Sequence, residues 1–444
     1  MSPLSLVLLF LGCAANAHVN SAVGKAQTVG SSQGWDPRGS AAAAAYSGWA
    51  PVPTPISSSP WDPNGAASFS NGLGPDRTDW AAQQLSPPSP GARGCDVQPG
   101  DRIITSLQLY PENGDFDPRR CVIYFSVLWN SSVAIYDPIS NTVIGSITDR
   151  RFTGRPELHA SGIQVDVAHD KLAIMFNAGA PFDTAGENIM GQNNLVQYDL
   201  KTNKVLWAID LSKVTNGAYS GFQDMEHDRH GNIFVCGTFP PSLLFVNATT
   251  VVASPWWLGP HNMTNKGING LAMWRYSKLL GTYQDGYDQY GSHLIRWNVR
   301  VPGEPVGIPI YKNGRAVALG TDLDGSYLPL RYGGNILLVT DAWIGTIVLH
   351  STDAWETAEK LGVLPNPFAG GTSATATVQA GQRIFAIFEF FQDATVKAVG
   401  QPAGAGQRSK FPLLDVTDQI DALVPEYLRR AIGSGSIDSD PGGY

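Results

Sequence analysis

The chain has 444 residues, a formal net charge of −8, and only 15% charged residues. It carries no basic block, which argues against nucleic acid and anionic membrane as partners. Gly (48), Pro (31), Trp (12) and Tyr (15) are plentiful, as in a turn-rich β protein.

The N-terminus opens with the apolar run Leu4 to Leu11, then Ala14-Ala15-Asn16-Ala17. Residues 1–17 read as a signal peptide with an A-x-A-like cleavage site. The run is too short to cross a bilayer, which needs about 20 apolar residues. No later run is long enough, so the expected product is a secreted, soluble monomer with no membrane insertion. Residues 18–94 are rich in Ala, Ser, Gly and Pro, as in Ala41 to Ala45 and Ser86-Pro87-Pro88-Ser89-Pro90. They cannot build a core and are expected to form a disordered arm. Residues 426–444 are expected to be a flexible tail, with weak helical character over Val416 to Ile432.

Residues 95–425 repeat. Six segments share a strand, a polar turn, an apolar strand, a loop and a further strand. The apolar second strands begin at Val122, Leu172, Ile233, Leu279, Ile336 and Ile384. Third strands follow in the first five segments, at Ala134-Ile135-Tyr136-Asp137, for example, and Val196-Gln197-Tyr198-Asp199. Spacing near 50 residues matches one blade of a propeller. The expected fold is all-β, a six-bladed β-propeller with a disordered N-terminal arm; a β-sandwich is the competing reading. Radial packing favours the propeller because it leaves only short protected edges.

Removal of the signal segment leaves Cys95, Cys121 and Cys236. Cys95 and Cys121 flank the first strand region and are paired here, with three unpaired thiols as the alternative. Cys236 lies in an apolar strand and reads as a buried thiol. Sequons at Asn130, Asn247 and Asn262 mark candidate glycosylation sites on surface loops.

First strands of propeller blades line the central channel. The residues ten positions before each second strand are Glu112, Gly162, Gln223, Asn269, Ser326 and Ala374. Ser161, Asp224, Asp324 and Thr375 are close enough to share that ring. The ring is small or polar and the positions that follow are mostly apolar, as in a solvated channel mouth. Glu112 is the candidate catalytic residue, because a channel carboxylate must be solvated, paired or bound. His159 is a second candidate, placed to reach the mouth. Ser161, Gln223, Asp224, Asn269, Asp324, Ser326 and Thr375 are candidate ligand-binding residues. His169, His227 and His230 read as turn residues. No nucleophile elbow, phosphate loop, dinucleotide fingerprint or zinc pattern is present, so no cofactor is expected.

The segments Ser220 to Asp224, Asp228 to Asn232 and Ile268 to Ala272 resemble blades of the gluconolactonase and strictosidine-synthase propellers. That resemblance implies a calcium held by a channel Glu, two Asn and an Asp. The positions fall on Glu112, Gln223, Asn269 and Ser326, with Asp324 nearby. Two of the four ligands are then replaced, so no metal and no lactonase-like hydrolase is expected. Tyr110-Pro111-Glu112, His159-Ala160-Ser161-Gly162-Ile163 and Phe411-Pro412-Leu413 resemble a fungal secreted propeller family. It contains the major Malassezia skin allergen and an accessory protein of trichothecene toxin gene clusters. This resemblance implies an apolar channel pocket and a role in mycotoxin biosynthesis or host colonisation. The first functional expectation is a protein that binds a hydrophobic small molecule in its channel. The others are an enzyme that cyclises or isomerises a terpenoid intermediate, and a non-catalytic host-interacting surface protein.

Overall fold

The computed structural model describes residues 95–261, 266–284, 292–368, 371–396 and 403–433. Residues 1–94, on which the signal-peptide and arm expectations fall, and Asn262 lie outside the described residues. Strand β1 (Arg102–Thr105) precedes the first blade: β2 (Pro111–Asp117), β3 (Val122–Val127), β4 (Ser132–Asp137) and β5 (Thr142–Ile147). Blade 2 is β6 (Leu158–Asp166), β7 (Lys171–Ala178), β8 (Asn194–Asp199) and β9 (Lys204–Asp210). Blade 3 is β10 (Ser220–His227), β11 (Ile233–Phe239), β12 (Ser242–Asn247) and β13 (Val252–Leu258). Blade 4 is β14 (Ile268–Trp274), β15 (Lys278–Gln284), β16 (Ser292–Asn298) and β17 (Val306–Ile308).

A small hairpin, β18 (Ile310–Lys312) with β19 (Arg315–Ala316), attaches to the outer edge of blade 5. That blade is β20 (Leu323–Tyr327), β21 (Ile336–Asp341), β22 (Gly345–His350) and β23 (Ala358–Pro365). Blade 6 takes β24 (Ser373–Ala380), β25 (Arg383–Glu389) and, after the small β26 (Thr395–Val396) and β27 (Ala403–Gly404) pair, β28 (Lys410–Asp415). Its fourth strand is β1, paired Arg102 to Leu413 and Thr105 to Lys410. The expected six blades are present, and the N-terminal strand closes the ring.

The second strands are buried on both faces because each blade packs against two neighbours. All six residues of β3 and of β21 are buried. Apolar continuity in these segments, rather than alternation, marks strands covered on both sides. Outer strands such as β9 alternate between exposed and half-buried positions. The paired cysteines expected from the sequence are bonded, with Cα atoms 5.6 Å apart, and Cys236 is a buried free thiol. Cys95 precedes β1 and Cys121 lies in the β2–β3 turn, so the bond staples the seam between blades 6 and 1. Two helices, α1 (Thr417–Leu423) and α2 (Glu426–Gly433), follow β28, and α2 occupies the start of the segment expected as a tail. Asn130 is exposed, whereas Asn247 is half-buried with its Oδ1 accepting the Thr249 and Thr250 amides.

Candidate functional site

Every inner strand breaks register near its start. In β2 the pairing passes from Pro111–Val127 to Gly114–Phe125, leaving Glu112 and Asn113 opposite the single residue Ser126. The same β-bulge sets Ser161-Gly162 against Met175, Gln223-Asp224 against Cys236, Asn269-Gly270 against Thr282 and Asp324-Gly325 against Thr340. In β24 the extra residue is Thr375 alone. A bulge re-aims side chains and frees backbone groups, and bulges are common beside functional sites. The bulges define the ring as Glu112, Ser161, Gln223, Asn269, Asp324 and Thr375.

This corrects the fixed ten-residue offset, which put Gly162, Ser326 and Ala374 in the ring. The turn before β21 carries the extra helical turn Leu330–Tyr332, and the turn before β25 is only Gly381-Gln382. Unequal turns shift the register while leaving each strand recognisable. Ser326 falls two residues below the ring and lines the channel.

Glycine fills the second bulge position where neighbouring blades meet most closely. A Cβ on Gly162 would stand 2.2 Å from the Gln223 carbonyl oxygen, and one on Gly270 would stand 2.4 Å from that of Asp324. Hydroxyls bind the groups the bulges release. Thr340 Oγ1 donates to the Gly325 and Thr375 carbonyls, and Thr282 Oγ1 accepts from the Gly270 amide. Cys236 holds the matching place opposite Gln223-Asp224, and burial pushes its thiol well above the usual range.

Alternate blades join at the axis. Gln223 Nε2 donates to Glu112 Oε1 at 3.2 Å and to Asp324 Oδ1 at 2.9 Å. The amide of blade 3 therefore bridges carboxyls from blades 1 and 5. Burial, then the charges of Asp224 and Glu389, push Glu112 up to about 8, while the Gln223 hydrogen bond opposes them. Burial and then Glu112 drive Asp324 well above the carboxylate range, with Lys266 opposing. At neutral pH this pair retains a proton, since two buried like charges cannot both ionise cheaply.

Among the other ring candidates, Asn269 Nδ2 donates to the Leu323 carbonyl and its Oδ1 accepts from Thr238. Ser161 Oγ donates to the Gln223 carbonyl at 3.2 Å. Thr375 is buried and its Oγ1 has no partner among the described residues. Asp224 accepts the Met225 and Leu271 amides, so it ties blade 3 to blade 4. His159 lies within β6 rather than before it, packed edge-on to Trp129 with ring centroids 4.9 Å apart. Burial lowers its pKa to about 4, so it is neutral at physiological pH, and it shares no hydrogen bond with Glu112.

The channel beneath the ring is acidic, not apolar. A cavity of about 50 Å³ is lined by Asp115, Gln164, Asp224, Glu226, Ser326 and Tyr327 among others. Burial pushes Asp115 and Asp224 up to about 7 and Glu226 well above its usual range. Ligand sites for drug-sized molecules occupy roughly 300–1,000 Å³. The channel itself therefore has room for water, and a larger molecule would meet the ring from its outer mouth. His227, expected in a turn, is buried in β10 with Nδ1 2.8 Å from Gln164 Oε1. Glu389, fully buried at the end of β25, was not among the sequence candidates. A glutamate closing the apolar run Ile384 to Phe388 reads simply as the end of a strand.

The four calcium-ligand positions implied by the lactonase resemblance hold Glu112, Gln223, Asn269 and Asp324. The fourth is an acid, because the bulge puts Asp324 where the offset put Ser326. Donor arrangement still argues against a cation. The Gln223 NH₂ group, not its carbonyl, faces both acids, and Asn269 Oδ1 is engaged by Thr238. Among the described residues no three His, Cys, Asp or Glu side chains converge on one point. As arranged, these residues do not fit calcium.

No family model matches the chain. It is 31% identical over 357 residues to trichothecene biosynthesis protein 14 of Trichoderma arundinaceum, covering 75% of this chain and 93% of that protein. The chain belongs to this family. The core trichothecene cluster protein 14 of Fusarium sporotrichioides is 29% identical, over 73% of this chain and 87% of its own. The crystal structure of the Malassezia sympodialis allergen Mala s 1 superposes with a TM-score of 0.60 at 20% identity, covering 72% and 96% of the two chains. Family membership and the shared fold agree with the resemblance drawn from the short motifs.

Proposed function

We propose that this protein serves trichothecene-type biosynthesis by holding an oxygenated sesquiterpenoid at the ring end of the propeller, where Glu112 supplies a proton. The names of its relatives supply the substrate class. The observation that carries the chemistry is the Glu112–Gln223–Asp324 bridge, a buried and a half-buried acid on one amide that keep a proton at neutral pH. A carboxyl with a pKa near the working pH is suited to general acid catalysis.

The step is an intramolecular ring closure. Glu112 gives its proton to a departing hydroxyl, which leaves as water as its C–O bond breaks. A second hydroxyl of the same molecule forms the new C–O bond, and its proton returns to the Glu112 carboxylate. The acid is regenerated and the net change is loss of one water. Orientation of a flexible polyol against the ring contributes as well. We place this activity in the secretory pathway, on the signal-peptide reading of residues 1–17.

Glu112→Gln tests the proposal, because it keeps the size and removes the acid. The expected result is an intact fold with turnover lowered by roughly 10- to 100-fold, the size of one charge-assisted hydrogen bond. Conversion of a sesquiterpenoid polyol, followed by mass spectrometry at equal folded fraction, is the measurement. Equal turnover in variant and wild type would leave the mouth a binding site without acid chemistry.

A further inference from the structure

Three blades leave buried polar atoms without partners at the same end of the molecule. Trp129, just beyond β3, has an indole Nε1 with no partner, and the residue is 8% exposed. His159, at the start of β6, has an unpartnered Nε2 and is 4% exposed. Glu389, at the end of β25, has both carboxyl oxygens unpartnered and is 0% exposed. The pairings Pro111–Val127, Leu158–Ala178 and Ser373–Glu389 put starts of inner strands beside ends of second strands. All three residues therefore share the end that carries the ring.

They are also neighbours. Trp129 stands edge-on to His159 and, at 6.5 Å, to Phe391. The Trp129 indole and the Phe390 amide face Glu389 and oppose its pKa rise, without a close hydrogen bond to either carboxyl oxygen. Glu389 is close enough to raise the Glu112 pKa. On the far side, His159 is backed by Gly179, where a Cβ would come within 2.7 Å of Nε2.

An unpaired buried polar atom is costly, and native structures hold few of them. Four such atoms on three neighbouring side chains mark a place where an external partner completes the bonds. We infer that Trp129, His159 and Glu389 form a subsite for an alcohol group of the ligand, beside the ring acids. The indole donates to the alcohol oxygen, and the Glu389 carboxyl takes or gives the hydroxyl hydrogen. Burial drives Glu389 well above the carboxylate range and favours its uncharged form, and it lowers His159 to about 4, so that ring is neutral at pH 7. The pocket thus takes a neutral oxygenated group in preference to an ion. The substrate class rests on the function proposed above, whereas the subsite rests on the three unpartnered groups.

The test uses the full chain with Trp129→Phe and Glu389→Met, and two probes: a hydroxylated trichothecene and its O-acetyl ester. Wild type should bind the free alcohol about tenfold more tightly than the ester, the worth of roughly one hydrogen bond. Both variants should erase that preference, because the free alcohol loses its hydrogen bonds to the subsite. An undiminished preference in either variant overturns the subsite. Thermal unfolding without ligand gives a second reading. A residue kept for a ligand at a cost to the fold predicts that Glu389→Met raises Tm. A drop of several degrees would make Glu389 a structural group and overturn the subsite whatever binds. If wild type binds neither probe, the trichothecene reading falls, and the Tm of Glu389→Met still decides the subsite.

Discussion

Two sets of acids in this molecule make opposite use of the same chemistry. The acids of the outer turns are fully engaged. Asp117 accepts the Arg119 amide and pairs with Arg120 at 2.7 Å, and Arg120 also reaches Asp170 and the Leu200 carbonyl. Asp137 and Asp199 each accept two amides from the turn that follows them. Along the axis, Glu112 and Glu389 are buried and Asp324 is half-buried, all without an ion-pair partner within 4 Å among the described residues. A carboxylate that accepts several N–H bonds organises a turn; a buried one without them stays protonated and reactive. The contrast separates acids that make the fold from acids placed for chemistry.

The largest effect expected from breaking this contrast is on the fold side. Asp117→Ala removes one of the two carboxylates on the half-buried Arg120 and the acceptor of the Arg119 amide, and should cost about 1.5–3 kcal/mol, read as a fall in the urea midpoint. Turnover per folded molecule should be unchanged; a specific loss of turnover would dissolve the distinction.

The axial acids should give the protein an unusual pH profile. Glu112 at about 8, with Asp115 and Asp224 at about 7, bind protons more tightly folded than unfolded. Their contribution falls as pH rises from about 4 toward 8. His159 and His227, held near 4, act in the opposite sense, adding stability as pH rises from 4 to about 6.5. Above 6.5 the histidine contribution fades and the acids dominate, so Tm should fall between pH 6.5 and 8, and less steeply in Glu112→Gln. A flat or rising wild-type Tm in that window would mean the acids are already ionised.

Calcium should have a smaller effect. With the Gln223 NH₂ group facing both acids, Tm should be the same in excess calcium and in chelator. A clear rise with calcium would mean that Gln223 turns its carbonyl inward and the ring becomes a cation site. The smallest effect belongs to the exposed turns. Asp199→Asn retains the accepting oxygen and should shift stability by no more than about 0.5 kcal/mol with normal turnover.

Much of this was legible in the sequence, and the gaps have physical causes. The second strands stood out because burial on both faces requires unbroken apolar runs such as Ile336-Leu337-Leu338-Val339. Glu112, Gln223 and Asn269 were found because turns of similar length keep their offsets equal. Asp324 and Thr375 were displaced because turn length varies freely at the surface while the bulge is fixed by contact between blades. Blade 6 looked incomplete because its third strand follows a long connection and its fourth comes from the other end of the chain. Glu389 gave no signal, since its place beside Trp129 and His159 depends on blades distant in sequence.

The closing seam also imposes a timetable. The Gly100 amide bonds to Asp415, 315 residues further on, so β1 leaves the ribosome long before the strand it pairs with. At 5–20 residues per second the interval is roughly 15–60 s. The bond between Cys95 and Cys121, only 26 positions apart, needs none of that later chain. Oxidation can anchor the N-terminal segment to blade 1 while blade 6 is still being made, so that the waiting edge is held beside the place where its partner will arrive.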